Sequence, residues 1–88
     1  MPKVSIITPA YNAGKLLPET IMSVRQQTFT DWEMIIVDDC STDNTYEVAL
    51  SFAAIDDRVK VLLHEINSGV AMARNTAIDA ATGDYIAF

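Results

Sequence analysis

Two near-continuous apolar runs, Val4-Ser5-Ile6-Ile7 and Met34-Ile35-Ile36-Val37, each break directly into polar residues. Thr8-Pro9-Ala10-Tyr11-Asn12 follows the first, and Asp38-Asp39-Cys40-Ser41-Thr42-Asp43 follows the second. Strands this uniformly apolar are covered on both faces, as in a parallel sheet flanked by helices. In an open sheet of that kind ligands bind beyond the carboxyl ends of the strands, so Pro9, Tyr11, Asp38 and Asp39 stand where a binding crevice would open.

The rest of the chain alternates in the same way. Strands are predicted near 3–8, 33–38, 59–63 and 84–88, with helices between them, and this alternation reads as repeated βαβ units of the α/β class. The first helix is predicted from about Lys15 to Gln27, because Leu17, Ile21 and Val24 fall on one face and Pro18 lies in the first turn, where its missing N–H costs nothing. A second helix begins at Asp43 or Asn44, where Asn44 and Glu47 have capping-box spacing, buries Val48 and Phe52, and ends before Asp56-Asp57-Arg58. A third runs from Ser68-Gly69 to Thr82-Gly83, with Val70, Ala73, Ala77 and Ala81 as its buried stripe and Gly83 in a left-handed terminal position. The last five residues, Asp84 to Phe88, read as a strand with no turn or cap after it. The chain is therefore expected to be the amino-terminal part of a larger protein.

With 88 residues the chain makes one domain at most. Its net charge of −6 and lack of any Lys or Arg cluster exclude nucleic acid and acidic membrane as expected partners. A phosphorylated ligand would then need a metal ion, a helix amino-terminus or a positioned Arg. Cys40 is the one cysteine, so neither an internal disulfide nor a thiolate zinc site can form. A reducing cytoplasm is the expected compartment, and the inner face of the membrane remains open for a larger protein.

Among residues that could carry chemistry, Asp38 and Asp39 point in opposite directions at the end of a strand. Asp38 is read as the cap of the following turn, accepting backbone N–H groups between Ser41 and Asn44. Asp39 is read as an acceptor for a ribose or a base N–H. Tyr11 either stacks on a flat base or covers the sheet edge. Arg74, one helical step from Val70, calls for an anion, which could be a ligand phosphate or Asp38 or Asp39. His64, at a strand end, reads as a hydrogen-bonded residue rather than a base, and Cys40 has no His nearby in sequence to activate it. Gly14 and Gly69 form neither a Walker loop nor a dinucleotide fingerprint.

The segments VSIITPAYN, QTFTDWEMIIVDDCSTDNT and NSGVAMARNTAIDAATGDYIAF, in that order, resemble the amino-terminal nucleotide-binding part of the inverting glycosyltransferases of family 2. The resemblance spans the whole chain. It implies a three-layer α/β/α, Rossmann-like GT-A half with a mainly parallel four-stranded sheet of order 3-2-1-4. It places Pro9, Tyr11, Asp39 and Arg74 at the nucleotide and gives Asn67 and Gly69, at the start of the third helix, a role that is either structural or in shaping the pocket. The implied donor is a nucleotide-sugar, a UDP-sugar in the first instance. The implied cofactor is a divalent cation, Mg or Mn, whose ligands, like the catalytic base, lie outside these residues. The strand order makes the fourth strand an exposed edge, through which a homodimer is expected. The competing readings are a phosphoacceptor signalling domain, which places its acidic pair after the first strand, and a non-catalytic interaction module.

Overall fold

The computed structural model describes residues 2–88. Four strands, β1 (Val4–Ala10), β2 (Trp32–Asp38), β3 (Val59–Leu63) and β4 (Tyr85–Ala87), alternate with three helices, α1 (Leu17–Gln26), α2 (Thr45–Ala53) and α3 (Val70–Ala80). All pairings are parallel and the sheet order is β3-β2-β1-β4.

Every residue of β2 is buried, and its alternating side chains feed two separate cores. Trp32, Met34 and Ile36 pack with Leu17 and Ile21 of α1 and Ala49 of α2. Ile35 and Val37 pack with Ile7 of β1 and with Ala73 and Ala77 of α3. Helices α1 and α2 thus cover one face of the sheet and α3 the other, which makes the three layers.

Strand β1 runs on through Pro9, past the predicted end. It can do so because β4 pairs only with Val4, Ser5 and Ile6, so β1 has one unpaired side where Pro9, which lacks an N–H, sits. Helix α1 keeps Pro18 in its first turn and buries Leu17 and Ile21, as the periodicity predicts.

Several local expectations are corrected. Asn44 makes no side-chain cap; Asp43 takes that role, its Oδ1 accepting from the Thr45 N–H at 3.0 Å and from the Thr45 hydroxyl. The residues of α2 fully buried are Thr45 and Ala49, while Val48 and Phe52 pack at the core margin. In α3 the buried stripe narrows to Ala73 and Ala77, and Val70 is 60% exposed. Gly83 is not left-handed. A Cβ there would lie 2.6 Å from Ser5 Oγ and 2.8 Å from Ser5 N, so the absence of a side chain lets the α3–β4 turn touch β1. Positive φ occurs instead at Asn12, Cys40 and Gly69.

Candidate nucleotide site

Three loops meet at the carboxyl ends of β1, β2 and β3. The first two are laced together by side chains whose residue types suit left-handed and capping positions. Asn12, at φ 50°, accepts from the Thr42 N–H at 2.8 Å and the Thr42 hydroxyl at 3.2 Å. Its own N–H donates to Ser41 Oγ at 2.9 Å. The Ala13 N–H donates to Thr45 Oγ1 and the Gly14 N–H to Asp43 Oδ2. The Asp43 carboxyl is held below its usual pKa chiefly by the Thr45 hydroxyl, against a desolvation that opposes it, with the Gly14 N–H adding to the effect.

Asp38 is buried, and its Oδ1 accepts from the Ser41 hydroxyl and, at 3.4 Å, from the Ser41 N–H. It caps the turn as predicted, through Ser41. Because Ser41 Oγ in turn accepts from Asn12, Asp38 also steadies the loop that carries Tyr11.

Asp39 is only 3% exposed and holds the start of α3. Its Oδ1 accepts from the Ser68 N–H at 2.9 Å and from His64 Nδ1 at 3.0 Å, and its Oδ2 accepts from the Gly69 N–H at 2.8 Å. The Asn67 amide reaches back to the Asp39 carbonyl at 3.3 Å. The Ser68 N–H is the main cause of a lowered Asp39 pKa, followed by the His64 hydrogen bond; burial opposes them and the Gly69 N–H assists. Far from being left for a ligand, most of this carboxylate's acceptor capacity is used within the chain. Sequence reasoning missed these partners because they lie 25 to 30 residues further on.

Pro9, Ala10, Tyr11, Asp39, Val70 and Ala73 line a cleft of about 70 Å³. Tyr11, 51% exposed, also borders a wider hollow of about 540 Å³ shared with Lys15, a cation that sequence reasoning did not single out. Three of the four candidate residues therefore converge. Arg74 does not. One position past buried Ala73, it turns to the surface, where its guanidinium carbon lies 5.3 Å from the centre of the Phe88 ring, and it pairs with neither Asp38 nor Asp39.

Among the described residues no group of three His, Cys, Asp or Glu side chains could hold a metal ion. The carboxylates of Asp38, Asp39 and Asp43 already accept N–H and O–H donors of the chain, so this donor set does not fit a divalent cation. Among these residues, too, no helix is long and apolar enough to cross a membrane.

Comparison with known proteins agrees with this fold. The chain is 51% identical over 87 residues to the putative teichuronic acid biosynthesis glycosyltransferase TuaG of Bacillus subtilis, covering 99% of this chain and 34% of TuaG. It is 47% identical to the UDP-Glc:alpha-D-GlcNAc-diphosphoundecaprenol beta-1,3-glucosyltransferase WfgD of Escherichia coli, over 97% of this chain and 33% of WfgD. The chain thus spans about a third of the length of these curated relatives. Among solved structures, S. aureus TarS 1-349 in complex with UDP superposes with a TM-score of 0.83 at 35% identity, over 96% of this chain and 25% of that one. The mannosyltransferase PcManGT from Pyrobaculum calidifontis, in complex with GDP-Man and Mn2+, gives a TM-score of 0.84 at 30% identity, over 97% and 26%. Residues 5–88 match the family described as Glycosyl transferase family 2, and the chain belongs to that family.

Proposed function

We propose that these residues form the nucleotide-binding part of a glycosyltransferase that uses a UDP-sugar and transfers the sugar, with inversion, to a hydroxyl acceptor of a cell-envelope polysaccharide. The observation that carries this reading is the convergence of Pro9, Tyr11 and Asp39 on one cleft at the carboxyl ends of β1 and β2. Tyr11 offers an exposed ring for a base to stack on. Asp39 Oδ2 has one donor within the chain, which leaves it able to accept from a base N–H or a ribose hydroxyl. The family, and neighbours solved with UDP or GDP-Man, support a nucleotide-sugar donor. The acceptor class rests on the names of TuaG and WfgD.

Titration with UDP, followed by amide NMR, is expected to shift residues 8–12 and 38–42 and to leave β4 and the amino ends of the strands unmoved. Shifts confined to other surfaces, or none at millimolar UDP, would refute the assignment.

The same reading includes self-association through β4. This strand lies at the sheet edge, and Tyr85 of the strand and Phe88 just after it are well exposed. Light scattering across a concentration series should show dimers; a strict monomer at high concentration would mean that the edge is tolerated in water.

A further inference from the structure

We infer that His64 is a positioning residue for nucleotide binding, acting through Asp39; this rests on the nucleotide-site reading above. His64 follows β3, and its own N–H donates to the Asp38 carbonyl at 2.8 Å, extending the β2–β3 ladder by one step. Its ring spans the gap between the two elements that wall the cleft. Nδ1 donates to Asp39 Oδ1 at 3.0 Å, and Nε2 lies 2.8 Å from Thr76 Oγ1 on α3. With the ring proton on Nδ1, the Thr76 hydroxyl donates to Nε2, and because Thr76 belongs to α3 the far end of the bridge is tied to that helix. The imidazole is largely buried and held at both nitrogens.

The consequence concerns Asp39. A carboxylate at a strand end can rotate about its side-chain torsions, and the Ser68 and Gly69 N–H groups, which both belong to the loop entering α3, tie it only to that loop. His64 adds a donor from the end of β3, itself braced by Thr76 of α3, and occupies the second acceptor position of Oδ1, so the remaining acceptor capacity lies on Oδ2. A ligand donor therefore meets an acceptor already fixed in direction, and binding need not order it. Without the imidazole, the carboxylate can turn an incompletely used Oδ1 toward the cleft and lose that direction.

UDP affinity, measured by calorimetry alongside thermal melts, tests this in the parent chain and in His64→Leu, His64→Asn and Thr76→Val. His64→Leu, which has no donor, is expected to weaken UDP binding by about tenfold, the loss typical of one charge-assisted hydrogen bond. His64→Asn places an amide N–H close to the former Nδ1 and should recover most of that affinity even where its melting temperature stays below the parent's. Thr76→Val frees the far end of the ring and should give an intermediate affinity; it also keeps the test decisive if His64→Leu does not fold. If the parent binds UDP and all three variants bind it equally well, His64 has no positioning role. The inference also fails if affinity follows melting temperature across the series with no specific recovery by Asn, because His64 then supports the fold alone. If the parent itself binds no UDP, the nucleotide-site reading fails, and this inference with it.

Discussion

Glu33→Ala is expected to cost about 3–5 kcal/mol, the usual penalty for removing one partner of a buried, charge-assisted network. A chain of this length is held by roughly 5–10 kcal/mol in total, so the variant should be largely unfolded in mild denaturant. Glu33 points out of β2 at 1% exposure. Its Oε2 accepts from Ser5 Oγ and the Thr82 N–H, both at 2.6 Å, and from Thr82 Oγ1 at 3.0 Å; its Oε1 accepts from Lys60 Nζ at 2.9 Å. One carboxylate thus ties β2 to β1, to β3 and to the α3–β4 turn, and Ser5 Oγ passes the connection on to the Gly83 N–H. Lys60 is half exposed, so its attraction is screened; the loss falls mainly on Ser5 and Thr82, left without their acceptor.

The same network makes the fold acid-sensitive. Burial alone would raise the Glu33 pKa, but the hydrogen bonds from Ser5, Thr82 and Lys60 outweigh it and bring the value from 4.5 down to about 2. Asp56 also falls from 3.8 to about 2, chiefly through hydrogen bonds from the Arg58 side chain against burial, with Arg25 adding a further bond. A folded pKa below the unfolded one gives stability that is fully present above the unfolded value and is lost as pH falls through the folded value. At about 1.4 kcal/mol per unit, the two groups together should withdraw on the order of 5 kcal/mol between pH 4.5 and 2. Denaturant melts at several pH values across this window should show the slope, and Glu33→Gln should flatten it. An unchanged slope in that variant would mean that Glu33 is not the group being titrated.

What was legible in the sequence was whatever depends on near neighbours along the chain. Near-continuous apolar runs located β1 and β2, and the i, i+4 spacing of Leu17 and Ile21 located the buried face of α1. Asp38 could be read as a cap because its partner, Ser41, is three residues away. Glu33 escaped notice because its meaning depends on Thr82, 49 residues later; an acidic residue inside an otherwise apolar strand was the available signal. Gly83 was assigned to the wrong cause for a similar reason, since the contact that forbids a side chain comes from Ser5 on another strand. The exposure of Arg74 follows from helix phase, which the sequence reading did not resolve. After buried Ala73 the next position turns outward, and Asp39, one of the anions Arg74 could have met, already holds donors from His64, Ser68 and Gly69.

Asp39→Ala is expected to abolish measurable UDP binding and to lower the melting temperature at the same time, whereas Asp38→Ala should lower stability by about 0.5–2 kcal/mol and leave binding within about threefold of the parent. From sequence alone Asp39 would have been expected to spare the fold. The structure removes that separation, because the Ser68 and Gly69 N–H groups lose their acceptor and the entry to α3, which carries Val70 and Ala73 of the cleft wall, loosens. Asp39→Asn distinguishes the two effects. It keeps one acceptor oxygen, enough for a single N–H of the α3 loop, but its amide group presents donors where the carboxylate had only acceptors. Its melting temperature should therefore recover part of the loss while UDP affinity does not. The Asp38 side chain touches the site only through Ser41 and Asn12, so its removal blurs the placement of Tyr11 without removing a ligand contact. Paired melts and UDP titrations on the three variants check the whole pattern. Binding that survives in Asp39→Ala would remove Asp39 from the ligand contacts, and binding that also fails in Asp38→Ala would move the ligand-facing carboxylate to Asp38; either result overturns the site.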